Sequence, residues 1–510
     1  MRHIRLLLST VLVVLAFTQQ LCAQRQTNAA RPGSQLTTAF YDVTSPVRIG
    51  DWTSDPANPL DDQDDWKELQ ALVDHVSKDS QGGTLYFPNG LYYLSRPLVI
   101  PANHAAVSAN GNVPLFGLTF QGASLGATLY CTGKEGGIVL AGAENQDQLD
   151  LPAFVRRFCL RDLRIVDSAV NGPDWKKSRS GIGLSLKGAE HCVFENVEIL
   201  GFDMGLVVAL GSPNNSFTNI SVQMPKTYGI WITSEGMTRS FGGRSWHTDN
   251  FWNNIRVSGF NSFEMDGAGR PEAGIKMSGP YVGDQHFVQA IVGFCKVGVH
   301  LLGLPSAGAP EGYNNDVKLS SLICDMNEHQ SLRIERVSNV RVSDAFFGVR
   351  GVTILESSEV MISNSWFNGD RSKWSATGTM CGLEVHNASA IGIQNCTFHG
   401  FDMVGHFVNV ITSTVSGVKA HCSTPCPSDF IGFRIADAVP VAPYVRGSAD
   451  NSFSGNVFVV EPNGLARAHY GIVEQVGAGV ETKNHYVHNI FRGGFAARYL
   501  PAGNGSKWVE

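Results

Sequence analysis

The sequence predicts an all-β solenoid, a parallel β-helix built from repeated three-strand coils. Helical periodicity is nearly absent after residue 80, and the rest is short apolar runs with Gly, Asn and Ser between them. These runs repeat at intervals of about 20 to 35 residues, a spacing typical of solenoids. Because 43% of the residues are apolar, the chain has enough material for a long continuous core.

Each repeat contains a short strand, a polar residue, a second short strand, a turn, a Gly and a third strand. The segment "NSFTNISVQMPKTYGIWI", which begins at Asn215, shows this order. We expect the polar residues to form a hydrogen-bonded ladder inside the helix, because a buried amide needs partners in neighbouring coils. The predicted ladder comprises Asp162, Asn196, Asn219, Asn254, Gln289, Ser321, Asp344, Asn364, Asn395, Asn456 and Asn489. About a dozen coils are expected.

The N-terminal region contains the one segment with a clear helical period, "DDWKELQALVDHVSK". Its apolar residues fall on one face, and the acidic run Asp61–Asp65 favours a helix start. We predict a capping helix over residues 61–80. The next stretch, "GGTLYFPNGLYYLSRPLVIP" over residues 82–101, predicts a hairpin with a Pro-Asn-Gly turn.

This pair of elements resembles the beginning of the pectate-lyase-like superfamily of right-handed parallel β-helices. The shared features are an acidic, helix-starting run and a Gly-Gly-strand-Pro-x-Gly-x-Tyr segment. The resemblance covers about residues 40 to 500 and implies a right-handed β-helix whose first coil is capped by the helix. Because this superfamily includes lyases, hydrolases, epimerases and phage tailspikes, the resemblance does not choose a reaction.

The first 23 residues have the pattern of a secretory signal peptide. Arg2 and Arg5 precede an apolar run that ends at Leu21-Cys22-Ala23. We expect cleavage near Ala23, a secreted or periplasmic protein, and no membrane insertion after cleavage. The β-helix domain is then predicted over residues 24–500, followed by a C-terminal tail over 501–510.

Charge and cysteine content limit the partners. The formal net charge is -6 and becomes -8 once Arg2 and Arg5 are removed, which argues against nucleic acid as a partner. Cys422 and Cys426 could form a disulfide in an oxidising compartment. Four other cysteines in apolar strands are expected to be buried small hydrophobes: Cys192, Cys295, Cys324 and Cys396.

The resemblance implies that one strand of each coil forms the floor of a polysaccharide groove; here it is the strand of the "GIWI" type. Alternation places Ile230 and Ile232 inside and Trp231 outside. The same alternation predicts an outward column of Val207, Trp231, Lys276, His300, Arg333, Thr353, Glu384, Phe407 and Arg434. Since adjacent coils lie about 4.8 Å apart, Lys276, His300 and Arg333 would reach one bound sugar unit.

Two reactions remain open at this point. β-Elimination from a uronate needs a base, for which Lys276 or His300 is suited, and a cation such as Arg333 to neutralise the carboxylate. Hydrolysis needs two carboxyl groups, and Glu272 and Asp325, in loops beside the groove, are chosen for this role. The other carboxylates near the groove are Asp249, Asp266, Asp284 and, at the end of a groove strand, Glu335. The predicted substrate-binding residues, chosen because Trp stacks on sugars and polar groups orient them, are Trp231, Arg244, Trp246, His247, Asp284 and Trp374.

The sequence therefore predicts a protein that cleaves or modifies an extracellular, acidic polysaccharide, with elimination slightly favoured over hydrolysis. The alternative is a non-catalytic polysaccharide-binding or cell-surface β-helix. The sequence motifs of calcium-dependent pectate lyases and of polygalacturonases are absent, so no catalytic residue is carried over from them. No metal ligands are predicted and no cofactor is required, although a divalent cation such as calcium is compatible. The sugar, its linkage and the oligomeric state are not specified.

Overall fold

The structure, a computed structural model, describes most of the chain after residue 38. The described residues are 39–49, 51–78, 82–102, 117–142, 154–172, 178–235, 249–259, 269–280, 282–304, 314–369, 380–422, 430–437, 448–460, 469–475, 482–493, 495–500 and 505–509. The helices that lie wholly within these residues are the α-helix α1 (Trp66–Lys78) and a short 3-10 helix (Ser168–Asn171).

Strands make up the rest of the regular structure. The strands of the first half are β1 Phe40–Asp42, β2 Arg48–Ile49, β3 Trp52–Thr53, β4 Gly83–Phe87, β5 Gly90–Leu94, β6 Leu98–Pro101, β7 Leu118–Gly122, β8 Ala127–Cys131, β9 Gly136–Ala141, β10 Val155–Arg156, β11 Cys159–Asp167, β12 Ile182–Lys187, β13 Ala189–Glu190, β14 Val193–Leu200, β15 Met204–Ala209, β16 Ser216–Gln223, β17 Tyr228–Thr233, β18 Asn250–Ser258, β19 Ala273–Ser278, β20 Gly283–Gly293 and β21 Val297–Leu302. Those of the second half are β22 Asn314–Ser320, β23 Ile323–Asp325, β24 Gln330–Glu335, β25 Val337–Ser343, β26 Phe346–Gly348, β27 Val352–Leu355, β28 Ser358–Ser363, β29 Trp366–Asn368, β30 Cys381–Ser389, β31 Gly392–Gln394, β32 Thr397–His399, β33 Met403–Ile411, β34 Thr414–Ser416, β35 Lys419–Cys422, β36 Ile431–Ala436, β37 Ser452–Ser454, β38 Val457–Val460, β39 His469–Gln475, β40 His485–Val487, β41 Ile490–Arg492, β42 Phe495–Leu500 and β43 Lys507–Val509.

The strands wind into a parallel β-helix, which confirms the predicted fold class. Apart from the antiparallel pair β2–β3, the strands pair in parallel with the equivalent strand of a neighbouring coil, as β17 does with β19 and β19 with β21. We call the strands of this column the groove strands. They are β6, β9, β12, β15, β17, β19, β21, β24, β27, β30, β33, β36, β39 and β42. Backbone polar groups are therefore satisfied between coils rather than within them.

The interior is a set of stacked apolar columns, as the repeats predict. Phe194, Phe217, Trp252 and Phe287 occupy equivalent positions in four successive coils, and all four are buried. Their ring centroids are 3.8 to 5.0 Å apart, with interplanar angles of 9° or less. Glycine at the second position of β17 allows equally close packing elsewhere in the interior, because a Cβ at Gly229 would lie 2.2 Å from Val257 Cγ1. The four predicted buried cysteines are also confirmed as interior residues.

The helix α1 is shorter than predicted and begins at Trp66 rather than near residue 61. The acidic residues before it bind neighbouring loops instead of extending the helix: Asp65 accepts hydrogen bonds from Asn58 N and Tyr93 N. Gln70 then pairs with the edge of the first coil, donating to Val99 O at 3.0 Å and accepting from Val99 N at 2.8 Å. The helix thus covers an edge strand whose backbone would otherwise be exposed.

Residues 82–101 do not form the predicted antiparallel hairpin. The strands β4, β5 and β6 pair in parallel with β7, β8 and β9, the corresponding strands of the following coil. The Pro-Asn-Gly sequence makes a bend within one coil, and the sequence pattern of such a bend resembles that of a hairpin turn.

The C-terminal residues also differ from the prediction. Within the predicted tail, β43 (Lys507–Val509) pairs with β40 and continues the stack. An interior column of the groove strands that includes Phe407 and Ile435 ends at Glu474, which is 2% exposed. Its carboxylate accepts hydrogen bonds from four neutral side chains of the last coils: Asn484, Tyr486, Tyr499 and Ser506.

The predicted polar ladder exists, but it lies on the outside of the bend. Asn196 donates to Asp162 at 3.0 Å, Asn219 to Asn196 at 2.8 Å and Asn254 to Asn219 at 2.7 Å. All four have left-handed backbone φ values, and Asn219 and Asn254 are exposed. The sequence indicated the contacts correctly, whereas the expectation that they are interior is wrong.

The last two predicted ladder members, Asn456 and Asn489, occupy a different position. They follow Gly455 and His488, which are the left-handed residues of those coils. Asn456 Nδ2 donates to Asn489 Oδ1 at 2.9 Å, and Asn456 is fully buried. Interior amides such as these form a second set of contacts between coils.

The fully buried Asn250 is a member of this interior set. Its Oδ1 accepts from Asn215 N at 2.9 Å, and its Nδ2 donates to Ser212 O at 3.0 Å. The Asn215 N–H has no access to water, so it depends on this amide.

We predict that Asn250→Ala lowers the free energy of unfolding by about 1–3 kcal/mol, because it leaves a buried N–H without its acceptor. As the matched control, Asn219→Gly removes exposed ladder bonds but keeps a residue that tolerates the left-handed φ, and it should change stability by no more than about 0.5 kcal/mol. Urea unfolding followed by circular dichroism measures both. Equal losses in the two variants would contradict the distinction between the ladders.

Candidate functional site

The outward side chains of the groove strands form the predicted column. Trp231 is in register with Lys276, Lys276 with His300, and His300 with Arg333. The column continues through Thr353 and Glu384. Successive coils lie about 4.8 Å apart, so Lys276, His300 and Arg333 line one short stretch of surface.

One member of the predicted column is wrong. Glu384 is in register with His406, and His406 with Arg434, so the outward residue of that coil is His406. Phe407 is 1% exposed and faces the interior. The glycine at 405 made the alternation ambiguous in the sequence. Burial, with further contributions from His386 and Arg434, lowers the pKa of His406 to about 4.

Lys276 lies in an aromatic and partly acidic setting, with 14% of its side chain exposed. Its Nζ is 3.2 Å from Tyr228 Oη and lies over the rings of Tyr228 and Trp231, at 4.7 and 5.6 Å from their centroids. Glu235 Oε1 is 3.8 Å away. Cation–π contacts and the carboxylate therefore hold the ammonium group beside the Tyr228 hydroxyl.

His300 lies between two cations and is only 19% exposed. Its Nε2 is buried and accepts or donates no hydrogen bond among the described residues, since Glu335 Oε2 is 3.8 Å away. Burial, assisted by the positive charge of Arg333, lowers the pKa of His300 to about 4; Glu335 opposes the shift. The imidazole is therefore neutral at neutral pH, which leaves a lone pair on the ring to accept a proton.

Arg333 is held by the carboxylate of Glu335. Its Nε and Nη2 donate to Glu335 Oε2 at 3.1 and 3.0 Å, and Arg336 Nη2 donates to Oε1 at 3.2 Å. This arrangement occupies both Glu335 oxygens and fixes the guanidinium. Arg333 Nη1 keeps no acceptor among the described residues, so it is available to a ligand.

The predicted carboxylates Glu272 and Asp325 are not part of this stretch. Glu272 precedes β19 and forms an exposed ion pair with Lys296, whose Nζ is 2.6 Å from its Oε1. Asp325 ends β23 on another strand column, where its carboxylate accepts from Met326 N at 2.8 Å. Each therefore has a local structural role in the described structure.

Asp284 also lies outside the groove column, at the start of β20. It faces Asp316, which occupies the next coil and accepts from Lys318 Nζ at 3.1 Å. Burial and the hydrogen bond with Asp316 raise the pKa of Asp284. Lys318 Nζ in turn lies 3.2 Å from His286 Nε2. These four residues form a polar cluster on the adjacent strands β20 and β22.

The remaining predicted substrate-binding residues, Arg244, Trp246, His247 and Trp374, lie outside the described residues. The same holds for Cys426, so the disulfide with Cys422 stays a prediction. Residues 1–23 also lie outside the described residues, so the signal peptide stays a prediction. Within the described part of the chain, no helix is long and apolar enough to cross a membrane, and no group of three or more His, Cys, Asp or Glu residues has the arrangement of a metal site.

Tyr228, Glu235 and Ser278 are site residues that sequence reasoning missed. Ser278 Oγ accepts from Trp231 Nε1 at 2.8 Å and fixes the indole ring. Tyr228 lies three residues before Trp231, on the same groove strand. Strand alternation alone would place residues three apart on opposite faces, so the sequence carries no signal for this contact, although the ring centroids are 5.4 Å apart.

The fold and this column define the class of protein: a right-handed parallel β-helix with polar side chains along its groove strands, as the superfamily resemblance implies. No protein-family model matches the sequence, and no curated protein sequence matches it.

Solved structures share the fold at low sequence identity. Gene product 12 of bacteriophage phi29, in its pre-mature form, is 12% identical with a TM-score of 0.52, over 89% of this chain and 55% of that one. The A-module of the mannuronan C-5 epimerase AlgE4 from Azotobacter vinelandii is 15% identical with a TM-score of 0.45, over 88% and 97%. DFA-IIIase from Arthrobacter chlorophenolicus A6 is 13% identical with a TM-score of 0.43, over 88% and 94%. At 12% identity, the likeness to gene product 12, with its TM-score of 0.52, is one of fold alone.

We predict that the His300 ring titrates near pH 4 and that Arg333→Ala raises this pKa, because the substitution removes a neighbouring positive charge. Nuclear magnetic resonance of the ring protons against pH measures both values. Arg341→Ala, at an exposed arginine of β25, outside the groove strands, is the control and should leave the titration of His300 unchanged. A wild-type midpoint at the ordinary histidine value of about 6.5 would contradict the burial of this ring.

Proposed function

We propose that this protein is a secreted enzyme that cleaves an extracellular acidic polysaccharide by β-elimination at a uronate unit. The observation that carries the proposal is the register that places His300 between Lys276 and Arg333 on adjacent groove strands. A neutral imidazole flanked by cations suits a reaction that removes a proton next to a carboxylate.

In this proposal His300 is the base. It takes the proton from C5 of the uronate, the electron pair of the C5–H bond forms the C4=C5 double bond, and the C4–O bond breaks with its electron pair on the leaving oxygen. The lowered pKa keeps His300 in its basic form at neutral pH.

The cations on both sides stabilise the charge that develops. Arg333, oriented by Glu335, offers a guanidinium nitrogen to the uronate carboxylate, whose charge grows as the C5 proton leaves. Lys276 supplies a second positive charge one coil before His300. The Tyr228 hydroxyl, 3.2 Å from Lys276 Nζ, can give a proton to the leaving oxygen while the ammonium group stabilises the phenolate.

Hydrolysis is less well supported by the described residues. It requires one carboxyl group as acid and another as nucleophile or base. Glu335 is the carboxylate beside His300, but both of its oxygens are occupied by Arg333 and Arg336. The two carboxylates predicted from the sequence for this role are engaged elsewhere.

We predict that purified wild-type protein, screened against uronate polymers, generates a product with the ultraviolet absorbance of an unsaturated uronate together with new reducing ends. His300→Ala should lower this rate by about 10²–10⁴-fold, as expected for loss of a general base. Lys276→Met and Arg333→Gln should also lower it. Lys419→Met, at an exposed lysine of β35, outside the groove strands, is the matched control for Lys276 and should retain the wild-type rate.

The readouts separate the alternatives. New reducing ends without absorbance would indicate hydrolysis and overturn the proposed reaction. Incorporation of solvent deuterium at C5 without cleavage would retain His300 as base but indicate epimerisation. Retention on a polysaccharide affinity gel without any product would favour the binding protein. Detection of the mature chain in the cell-free medium or periplasm, beginning near residue 24, tests the proposed export.

A further inference from the structure

A cavity lies further along the groove strands, beyond Arg333. It has a volume of about 120 Å³ and opens at the start of β24, β27 and β30. Thr353 and Glu384, the next two members of the outward column, line it. Thr353, the first residue of the outward column in this lining, is about two coils, or roughly 10 Å, from His300 along the same surface.

The lining combines an apolar floor with a polar rim. The floor consists of Gly351, Val352, Met380 and Phe401, all of them buried. The rim consists of His329, Gln330, Arg350, Thr353, Cys381 and Glu384. An apolar surface edged by hydrogen-bonding groups matches a sugar ring, whose C–H groups and hydroxyls face in different directions.

Two charged groups of the rim retain hydrogen-bonding capacity. Arg350 is fixed through its Nε, which donates to Glu328 O at 2.9 Å, and its Nη atoms have no acceptor in the described part of the chain. No described side chain donates a hydrogen bond to the Glu384 carboxylate, although the residue is half-buried. A carboxylate in this situation is a strong acceptor for vicinal hydroxyl groups.

We infer that this cavity is a distal subsite that binds one pyranose unit of the polysaccharide, with hydroxyl groups on Glu384 and Thr353 and a further polar group on Arg350. The inference rests on the proposed function for the course of the chain, which runs from Trp231 past His300 to Glu384. The subsite lies about two to three coils from the proposed base. A short oligosaccharide bound at His300 therefore does not extend as far as the subsite. Affinity should therefore increase with the number of sugar units until the cavity is filled.

Binding of size-graded oligomannuronates and oligogalacturonates to the full chain tests this inference. Calorimetry in a His300→Ala background, which prevents turnover, gives the dissociation constant for two sugar units divided by that for six units. This ratio is large when the longer ligand binds more tightly. We expect Glu384→Gln to reduce this ratio by about tenfold, the effect of weakening one hydrogen bond to a charged group. Thr353→Val should reduce it in the same direction.

Glu359→Gln, an exposed glutamate at the start of β28, is the matched control and should leave the ratio unchanged. An unchanged ratio in folded Glu384→Gln and Thr353→Val would overturn the subsite, even if the wild type cleaves uronate polymers. Conversely, a length preference that depends on Glu384, in a protein that forms no unsaturated product, would support the subsite and reject the proposed reaction. Failure of all these oligosaccharides to bind would overturn both.

Discussion

Hydrogen bonding between successive coils is the constraint on which this molecule depends. Each strand finds its backbone partners in the coil before and the coil after, at a fixed spacing and in parallel register. Residues far apart in sequence, such as Trp231 and Arg333, are therefore held along one line. The loops between them can vary in length without changing this line, because the loops are not part of the ladder of strands.

This alignment places three basic side chains next to one another in partly buried positions, where water screens their charges less than it does in solution. Lys276, His300 and Arg333 would repel one another if all were protonated and buried. The structure avoids this by leaving the histidine neutral and by placing Glu235 and Glu335 beside the two permanent cations. The same arrangement produces a surface where a negatively charged ligand is favoured and where a proton acceptor is present at neutral pH.

The sequence was sufficient for the fold class and for most of the outward column, because both depend on the two-residue alternation of strands and on the repeat. It was insufficient where one pattern has two structural meanings. Pro88-Asn89-Gly90 marks a bend in a coil as well as a hairpin turn, and the asparagine at a left-handed bend looks the same whether its amide is exposed or buried. The supporting residues of the site, Tyr228 and Glu335, could not be assigned, since their roles depend on side-chain contacts within and between neighbouring coils.

The two ends of the solenoid are closed differently: the helix α1 covers the first coil, whereas the buried carboxylate of Glu474 ends an interior column near the last coils. An apolar interior column that ended in solvent could pack against another coil or a second molecule, because an exposed sheet edge has unpaired backbone groups. Here the column finishes in a carboxylate enclosed by the hydroxyl and amide groups of the last coils, so its final member is polar rather than apolar. A coil added at this end would have to break the hydrogen bonds that enclose the carboxylate, whereas a coil added within the stack would only repeat the apolar column.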